Sequence, residues 1–241
     1  MDELTTAESV ELLEEGVLEV EGLISWGSNY TFLARVCQDA GEVDAVYKPR
    51  KGERPLWDFA PGTLCLRERA AFLVSEVLQW HIVPPTVLRD GPHGFGSVQR
   101  FIEHDPDQHY FAIQGQYQEQ LQRIVLFDLL VNNADRKGGH VLVAQGDRLW
   151  SIDHGICFHA EYKLRSVIWE FAGTGVPEAL LHDLRRFQQR MRDEDDRTIQ
   201  HLRELLNQRE MAALEKRVQK VLADKEFPHP GPGRHYPWPP V

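Results

Sequence analysis

The sequence predicts an α+β protein in which a small β-rich lobe precedes a larger helical lobe. Three observations carry that prediction. Residues 17–48 break into three runs rich in β-branched and aromatic residues, with Gly-, Asp- and Ser-containing stretches between them. The apolar period then becomes helical in Leu66–Leu78 and again in Tyr117–Val131. From Pro177 to Ala223 the chain is charged and helical in pattern.

Taken in order, Thr6–Glu15 sets Val10, Leu12 and Leu13 among acids and reads as a short helix or an acidic cap. The three strands follow in Val17–Gly22, Tyr30–Val36 and Val43–Lys48. Pro49–Gly62 is polar, with Pro, Gly and Trp, and reads as a loop. After the Leu66–Leu78 helix, Pro84-Pro85 breaks the chain. Thr86–Arg89 and Gly96–Ile102 then form strands around the turn at Asp90–Gly94. The helix at Tyr117–Val131 has Leu121, Ile124, Val125, Phe127, Leu129 and Leu130 as its core positions. Asn132–Gly139 is a polar break before a hairpin, His140–Ala144 and Arg148–Ile152. The expected divisions are a β lobe over 1–103, a helical lobe over 104–226 and a Pro/Gly-rich tail over 227–241. That tail is expected to be disordered or packed as an extended arm.

Bulk properties narrow the function classes. A hydrophobic fraction of 42% and a charged fraction of 27% are those of an ordinary globular domain. The net charge of −10 disfavours nucleic acid and anionic membrane as partners, though not a local basic site for phosphate. The 3 cysteines are scattered without zinc spacing. No apolar run is long enough to span a bilayer, and the acidic start lacks a signal-peptide core. A cytoplasmic protein is therefore expected.

The chemistry concentrates in Leu126-Phe-Asp-Leu-Leu-Val-Asn-Asn-Ala-Asp-Arg-Lys-Gly-Gly-His140 and in Leu149-Trp-Ser-Ile-Asp-His-Gly155. A helix ends at Asn132-Asn133, a polar loop carries Asp135, and a hairpin delivers Asp153. Phosphoryl transfer uses such a pair: one carboxylate orients the attacking hydroxyl, and a second holds a divalent ion on the nucleotide phosphates.

These paired loops resemble those of kinases in the phosphatidylinositol 3/4-kinase and HipA-like branch. They resemble more closely a small actinobacterial (SCO-type) family of phosphatidylinositol 3/4-kinase-like proteins. The resemblance covers roughly residues 17–169. It implies a two-lobed protein-kinase-like fold that binds ATP with Mg²⁺ or Mn²⁺ and has an acceptor with a hydroxyl, either a small inositol- or sugar-like molecule or a protein Ser/Thr. It also implies Asp135 as the catalytic residue, Arg136 and Lys137 facing substrate or phosphate, and Asp153 on the metal. His140 stands where the family has a metal-binding Asn, so either His140 binds metal or Asn132 or Asn133 takes that duty. Imidazole suits Mn²⁺ or Zn²⁺ better than Mg²⁺. His154 replaces the Phe of Asp-Phe-Gly.

In the β lobe the same resemblance points to Lys48 for the α- and β-phosphates, with Glu68 as its partner. Gly27, Ser28 and Asn29 form a phosphate-facing turn, and Gln99, Phe101 and Ile102 lie at the adenine. Plainer readings stand beside these: Lys48 as a solvated strand end, Glu68 as part of a charged helix face, Asn132 and Asn133 as helix caps, and His140 as an inward histidine. A nucleotide-binding pseudokinase and an AMP-transferring enzyme of the same fold are the competing functions.

Overall fold

A computed structural model describes residues 4–24, 29–38 and 41–241. Helix α1 (Thr6–Glu15) opens with a capping box: Glu8 N–H donates to Thr5 Oγ1 and Thr5 N–H donates to Glu8 Oε2. Its apolar side, Leu12 and Leu13, covers one face of an antiparallel sheet. The strands are β1 (Val17–Ile24), β2 (Thr31–Gln38), β3 (Gly41–Pro49), β4 (Thr86–Gly91) and β5 (Gly94–Arg100), in the order β1-β2-β3-β5-β4. Alternation sends Ala34, Val36, Ala45, Tyr47, Val87 and Val98 into the core under α1. The residues between them, Leu33, Val46, Lys48, Ser97 and Gln99, share the opposite face, because Leu33 pairs with Val46, Val46 with Gln99, and Lys48 with Ser97. Gly96 permits this close crossing: a β-carbon there would collide with the Lys48 carbonyl.

Helix α2 (Leu64–Val77) joins the sheet to the larger core, into which it sends Ala70, Ala71, Phe72, Val74 and Val77. Its first free N–H groups, those of Leu64 and Cys65, are capped by the Glu53 carboxylate at 3.1 and 2.9 Å. Helix α3 (Gln118–Val131) is the axis of the helical lobe, with Leu121, Ile124, Phe127 and Leu130 fully buried. The hairpin β6 (Val141–Ala144) and β7 (Arg148–Ser151) follows. Three amphipathic helices then close the core: α4 (Glu178–Met191), α5 (Arg197–Leu205) and α6 (Gln208–Asp224). The Pro-rich tail takes the extended-arm form. Phe227 is buried against Phe171, and the chain runs on across the surface of the helical lobe.

Side chains from α2 tie the two lobes together. Arg67, 4% exposed, donates to Glu210 at 2.5 Å and to the Cys157 carbonyl at 2.8 Å. Lys163 pairs with Asp58 at 2.8 Å, and the His159 ring lies 3.0 Å from the Asp58 carbonyl. In the expected loop over Pro49–Gly62, Phe59 is buried while Trp57 stands 92% exposed.

Glu210 also completes the capping box of α6 with Asn207. Glu210→Ala leaves a buried guanidinium unpaired, and denaturant unfolding is expected to show a loss of about 3 kcal/mol. A loss under about 0.5 kcal/mol, the range of ordinary surface positions, would show that the ion pair does not hold the lobes.

Candidate active site

Four elements meet at the cleft between the lobes. From the open face of β3, Lys48 Nζ donates to Glu68 Oε1 of α2 at 2.5 Å and to Asp153 Oδ1 at 3.0 Å. The second Glu68 oxygen accepts the His154 N–H at 3.0 Å, so this carboxylate is spoken for on both sides. Burial alone would lower the Lys48 ammonium, but Asp153 and Glu68 outweigh it and hold the group above its ordinary range. Desolvation would raise Asp153, and the Lys48 charge overrides it and holds that carboxyl far below the usual range. Glu68, 3% exposed, is pushed up by burial despite Lys48.

Asp135 follows the end of α3. Asn132 stops that helix in the left-handed region at φ 55°. Its side-chain amide donates to the His159 and Glu161 carbonyls, and its oxygen accepts the Lys163 N–H. Asn133 donates to Asp128 Oδ1 and accepts the Asp135 N–H, both at 2.9 Å. The two asparagines are thus consumed in positioning the loop. The expectation that Asn132 or Asn133 binds metal is corrected: both are buried with both ends bonded. Lys137 Nζ lies 3.4 Å from Asp135 Oδ2 and opens to the same cleft. Burial pushes the Asp135 carboxyl up to about 6, against the pull of Lys137.

Arg136 does not face substrate, which corrects a second expectation. Its side chain is 0% exposed and points into the helical lobe. It donates to Asp128 at 2.7 and 2.9 Å, to the His140 and Ile152 carbonyls at 3.0 and 2.8 Å, and to Ser151 Oγ at 2.7 Å. The His154 Nε2 lies 2.9 Å from the same guanidinium and accepts from it. Burial keeps His154 neutral, its pKa well below the ordinary value, and the Arg136 charge adds to that effect.

His140 ends the short turn Gly138–His140. Its Nε2 stands 3.3 Å from Asp153 Oδ2, while its Nδ1 is buried with no hydrogen-bond partner. Burial lowers its pKa to about 4, against Asp153, so the ring is a neutral nitrogen donor near neutral pH. Asp153 keeps a side chain 47% exposed to the cleft. The ring nitrogen that meets the half-open Asp153 carboxylate is Nε2, and a divalent ion shared by the two residues would take that atom. Among the described residues no cluster of three or more His, Cys, Asp or Glu side chains forms a metal site. A pair of side chains such as Asp153 and His140 would suit an ion that arrives with a polyphosphate supplying further oxygens.

At the expected adenine end, Ile102 packs with Leu142, Trp150 and Ile152. Gln99 is not free to read a base. Its amide donates to Thr86 Oγ1 at 2.8 Å, and its position pairs with both β3 and β4. The Phe101 N–H is likewise taken by the Asp44 carbonyl at 2.8 Å. Asn29 Oδ1 accepts the Arg54 N–H at 2.7 Å rather than lying open. Gly27 and Ser28 fall outside the described residues.

Two contributors were missed by sequence reasoning. Asp128 is the counter-charge of Arg136, and its signal was a lone acid inside the apolar run Leu126–Val131. The segment Arg165–Val167 runs beside the catalytic loop. Arg165 N–H donates to the Asn133 carbonyl, Arg136 N–H to the Arg165 carbonyl, and Val167 N–H to the Arg136 carbonyl. Nothing in the local pattern foretold it.

A β-lobe Lys–Glu pair, a loop Asp, and an Asp delivered by a hairpin to the same cleft define a protein of the kinase fold. Solved structures agree. A hydra Fam20 structure with sugar superposes with a TM-score of 0.56 at 12% identity, over 91% of this chain and 88% of that one. A Golgi casein kinase with Mn/ADP bound gives 0.51 at 16% identity, over 90% and 74%. The family described as Phosphatidylinositol 3- and 4-kinase matches residues 19–211, and the chain belongs to it. Its relative in Mycobacterium tuberculosis, Protein Rv2133c, is 36% identical over 95% of this chain and 94% of its own length.

The raised Asp135 carboxyl has a measurable consequence. A carboxyl raised on folding favours the fold below its unfolded value of about 3.9 and loses that advantage as pH climbs through about 6. Asp135→Asn is expected to unfold like wild type near pH ~4 and to be more stable by about 2 kcal/mol near pH ~8. Parallel melting curves at all pH values would show that Asp135 is not held in a desolvating site.

Proposed function

We propose that the chain is an ATP- and divalent-metal-dependent phosphotransferase whose acceptor is an alcohol hydroxyl. The observation that carries this reading is the convergence of Lys48, Glu68, Asp153 and Asp135 at one cleft, with Lys48 paired to both Glu68 and Asp153. Glu68 fixes the Lys48 ammonium where it meets the nucleotide phosphates. Asp153 and His140 would hold a divalent ion, which when bound would neutralise phosphate charge. Asp135, ionised above its pKa of about 6, accepts a hydrogen bond from the acceptor hydroxyl and takes its proton. The hydroxyl oxygen forms a bond to the γ-phosphorus as the bond from that phosphorus to the β-bridging oxygen breaks, and ADP leaves. Lys137 sits beside Asp135 to steady the negative charge of the incoming groups. The Mn/ADP complex of the similarly folded Golgi casein kinase supports nucleotide and metal use.

One observation favours a second reading, a nucleotide-binding pseudokinase: imidazole replaces the amide at residue 140. Turnover separates the two. Wild type is expected to turn over ATP in Mn²⁺ or Mg²⁺, with kcat/KM rising through about pH 6. Asp135→Ala should lose about 10²–10⁴-fold in kcat while still binding nucleotide. Asp153→Ala should lose metal-dependent binding, and Lys48→Ala should chiefly weaken ATP. Tight nucleotide binding with no turnover in either metal selects the pseudokinase, and undiminished turnover in Asp135→Ala removes that residue from the reaction.

The imidazole also biases the metal. His140→Asn should move the preference from Mn²⁺ toward Mg²⁺, because an amide oxygen suits the harder ion. In the Mn²⁺–ATP complex, pulsed EPR should detect a ¹⁴N coupling in wild type that the variant lacks. An all-oxygen signal in both would take His140 out of the metal site.

A further inference from the structure

Three consecutive N–H groups hold the loop at Asp135, and they are held in different ways. Ala134 N–H donates to the Ile156 carbonyl and Arg136 N–H to the Arg165 carbonyl, both at 3.0 Å. The Asp135 N–H between them donates instead to a side chain, Asn133 Oδ1, at 2.9 Å. Main-chain bonds therefore set where the loop lies, while the setting of Asp135 within it depends on Asn133.

Asn133 is in turn held by one residue of α3. Its Nδ2 donates to Asp128 Oδ1 and its main-chain N–H to the Asp128 carbonyl, both at 2.9 Å. On the far side of Asp135 the same carboxylate accepts from Arg136, with Nη2 at 2.9 Å from Oδ1 and Nε at 2.7 Å from Oδ2. A counter-charge for Arg136 would need its oxygens turned only to the guanidinium. Here Oδ1 is shared between residues 133 and 136, so one carboxylate grips the loop on both sides of Asp135. Asp128 is 1% exposed and lies in the last turn of α3, between the buried Phe127 and Leu129. It meets no reacting group and offers the loop a fixed point on a packed helix.

We infer that Asp128 is a positioning residue for the phosphoryl-transfer step: acting through Asn133 and Arg136, it aims the Asp135 carboxylate at the acceptor hydroxyl. This rests on the phosphotransferase reading and adds to it the residue that orients its proton acceptor.

The test uses full-length protein with Mn²⁺ and ATP and reads release of ADP, so no acceptor has to be chosen. Rates are taken per folded molecule, with the folded fraction read by near-ultraviolet circular dichroism. Asp128→Ala should lower kcat about 10²-fold, the effect of a misplaced reacting group. The KM for ATP should not change, because Lys48 and Glu68 keep their partners. Asn133→Ala should also lower kcat, and the double variant should lose no more than Asp128→Ala alone, as residues on one path do. In both single variants the Asp135 amide should exchange hydrogen roughly tenfold faster, the effect of weakening one bond. The Ala134 and Arg136 amides should keep their wild-type protection. A purely structural Asp128 would release all three amides together and raise KM as kcat falls. That result overturns the inference, as do wild-type kcat in Asp128→Ala and losses that multiply in the double variant. If the unpaired Arg136 keeps Asp128→Ala from folding, Asp128→Asn is read by the same kcat and KM criteria. In either orientation its amide NH₂ meets a donor, Asn133 Nδ2 in one and Arg136 Nε in the other, so one side of the grip is lost. Wild type that releases no ADP in Mn²⁺ or Mg²⁺ overturns the phosphotransferase reading, and the three amides then decide the positioning role by themselves.

Discussion

The buried guanidinium of Arg136 is the constraint on which the site depends. A charge with no access to water is tolerated only when every donor finds an acceptor, and here the acceptors come from four places. Asp128 belongs to α3, the His140 carbonyl to the turn that follows Asp135, Ser151 to β7, and the Ile152 carbonyl to the residue before Asp153. Satisfying one side chain therefore fixes the distance between the loop that carries Asp135 and the hairpin that carries Asp153. A phosphotransferase needs that separation held rigidly, since its catalysis is mostly positioning and electrostatics.

The same network explains the histidine of the metal loop. His154 lies beneath Asp153, edge-on to Phe127 and accepting from Arg136, so its ring serves the interior. Its backbone N–H reaches Glu68, which in turn holds Lys48. The chain of contacts runs from α3 through Arg136 and His154 to α2 and β3. Arg67, bonded to Glu210 and the Cys157 carbonyl, secures α2 from its other side. Helix α2 is thereby held with Glu68 in the cleft before any nucleotide is present. The lobes are assembled by buried polar contacts that leave the cleft itself to Lys48, Asp135, His140 and Asp153.

The electrostatics of these four divide the labour. Lys48 forces Asp153 to stay ionised, whereas burial holds Asp135 closer to neutrality. Two carboxyls in one cleft are thus driven apart in acidity, the separation expected where one binds a cation and the other handles a proton.

Much of the fold was legible in the sequence because it rests on local periodicity. Runs rich in β-branched and aromatic residues marked β1 to β3, the helical stripe marked α2 and α3, and the turn residues between them set their limits. That Lys48, Glu68 and Asp153 would come together was likewise legible from their order, since strand ends and tight loops deliver side chains predictably. The directions of Arg136, Asn132, Asn133 and Gln99 were not. A loop has no period from which inside and outside can be read, and the partners that consume these groups lie on other elements. The short helix-or-cap at residues 6–15 became a helix because the sheet supplied an apolar face to cover. By itself the sequence determined the elements and the candidate residues at their ends. Only the tertiary structure decided which of those residues turn inward and that the C-terminal arm bonds to Gly138 and Ser166, because burial and long-range hydrogen bonding are properties of the packed chain.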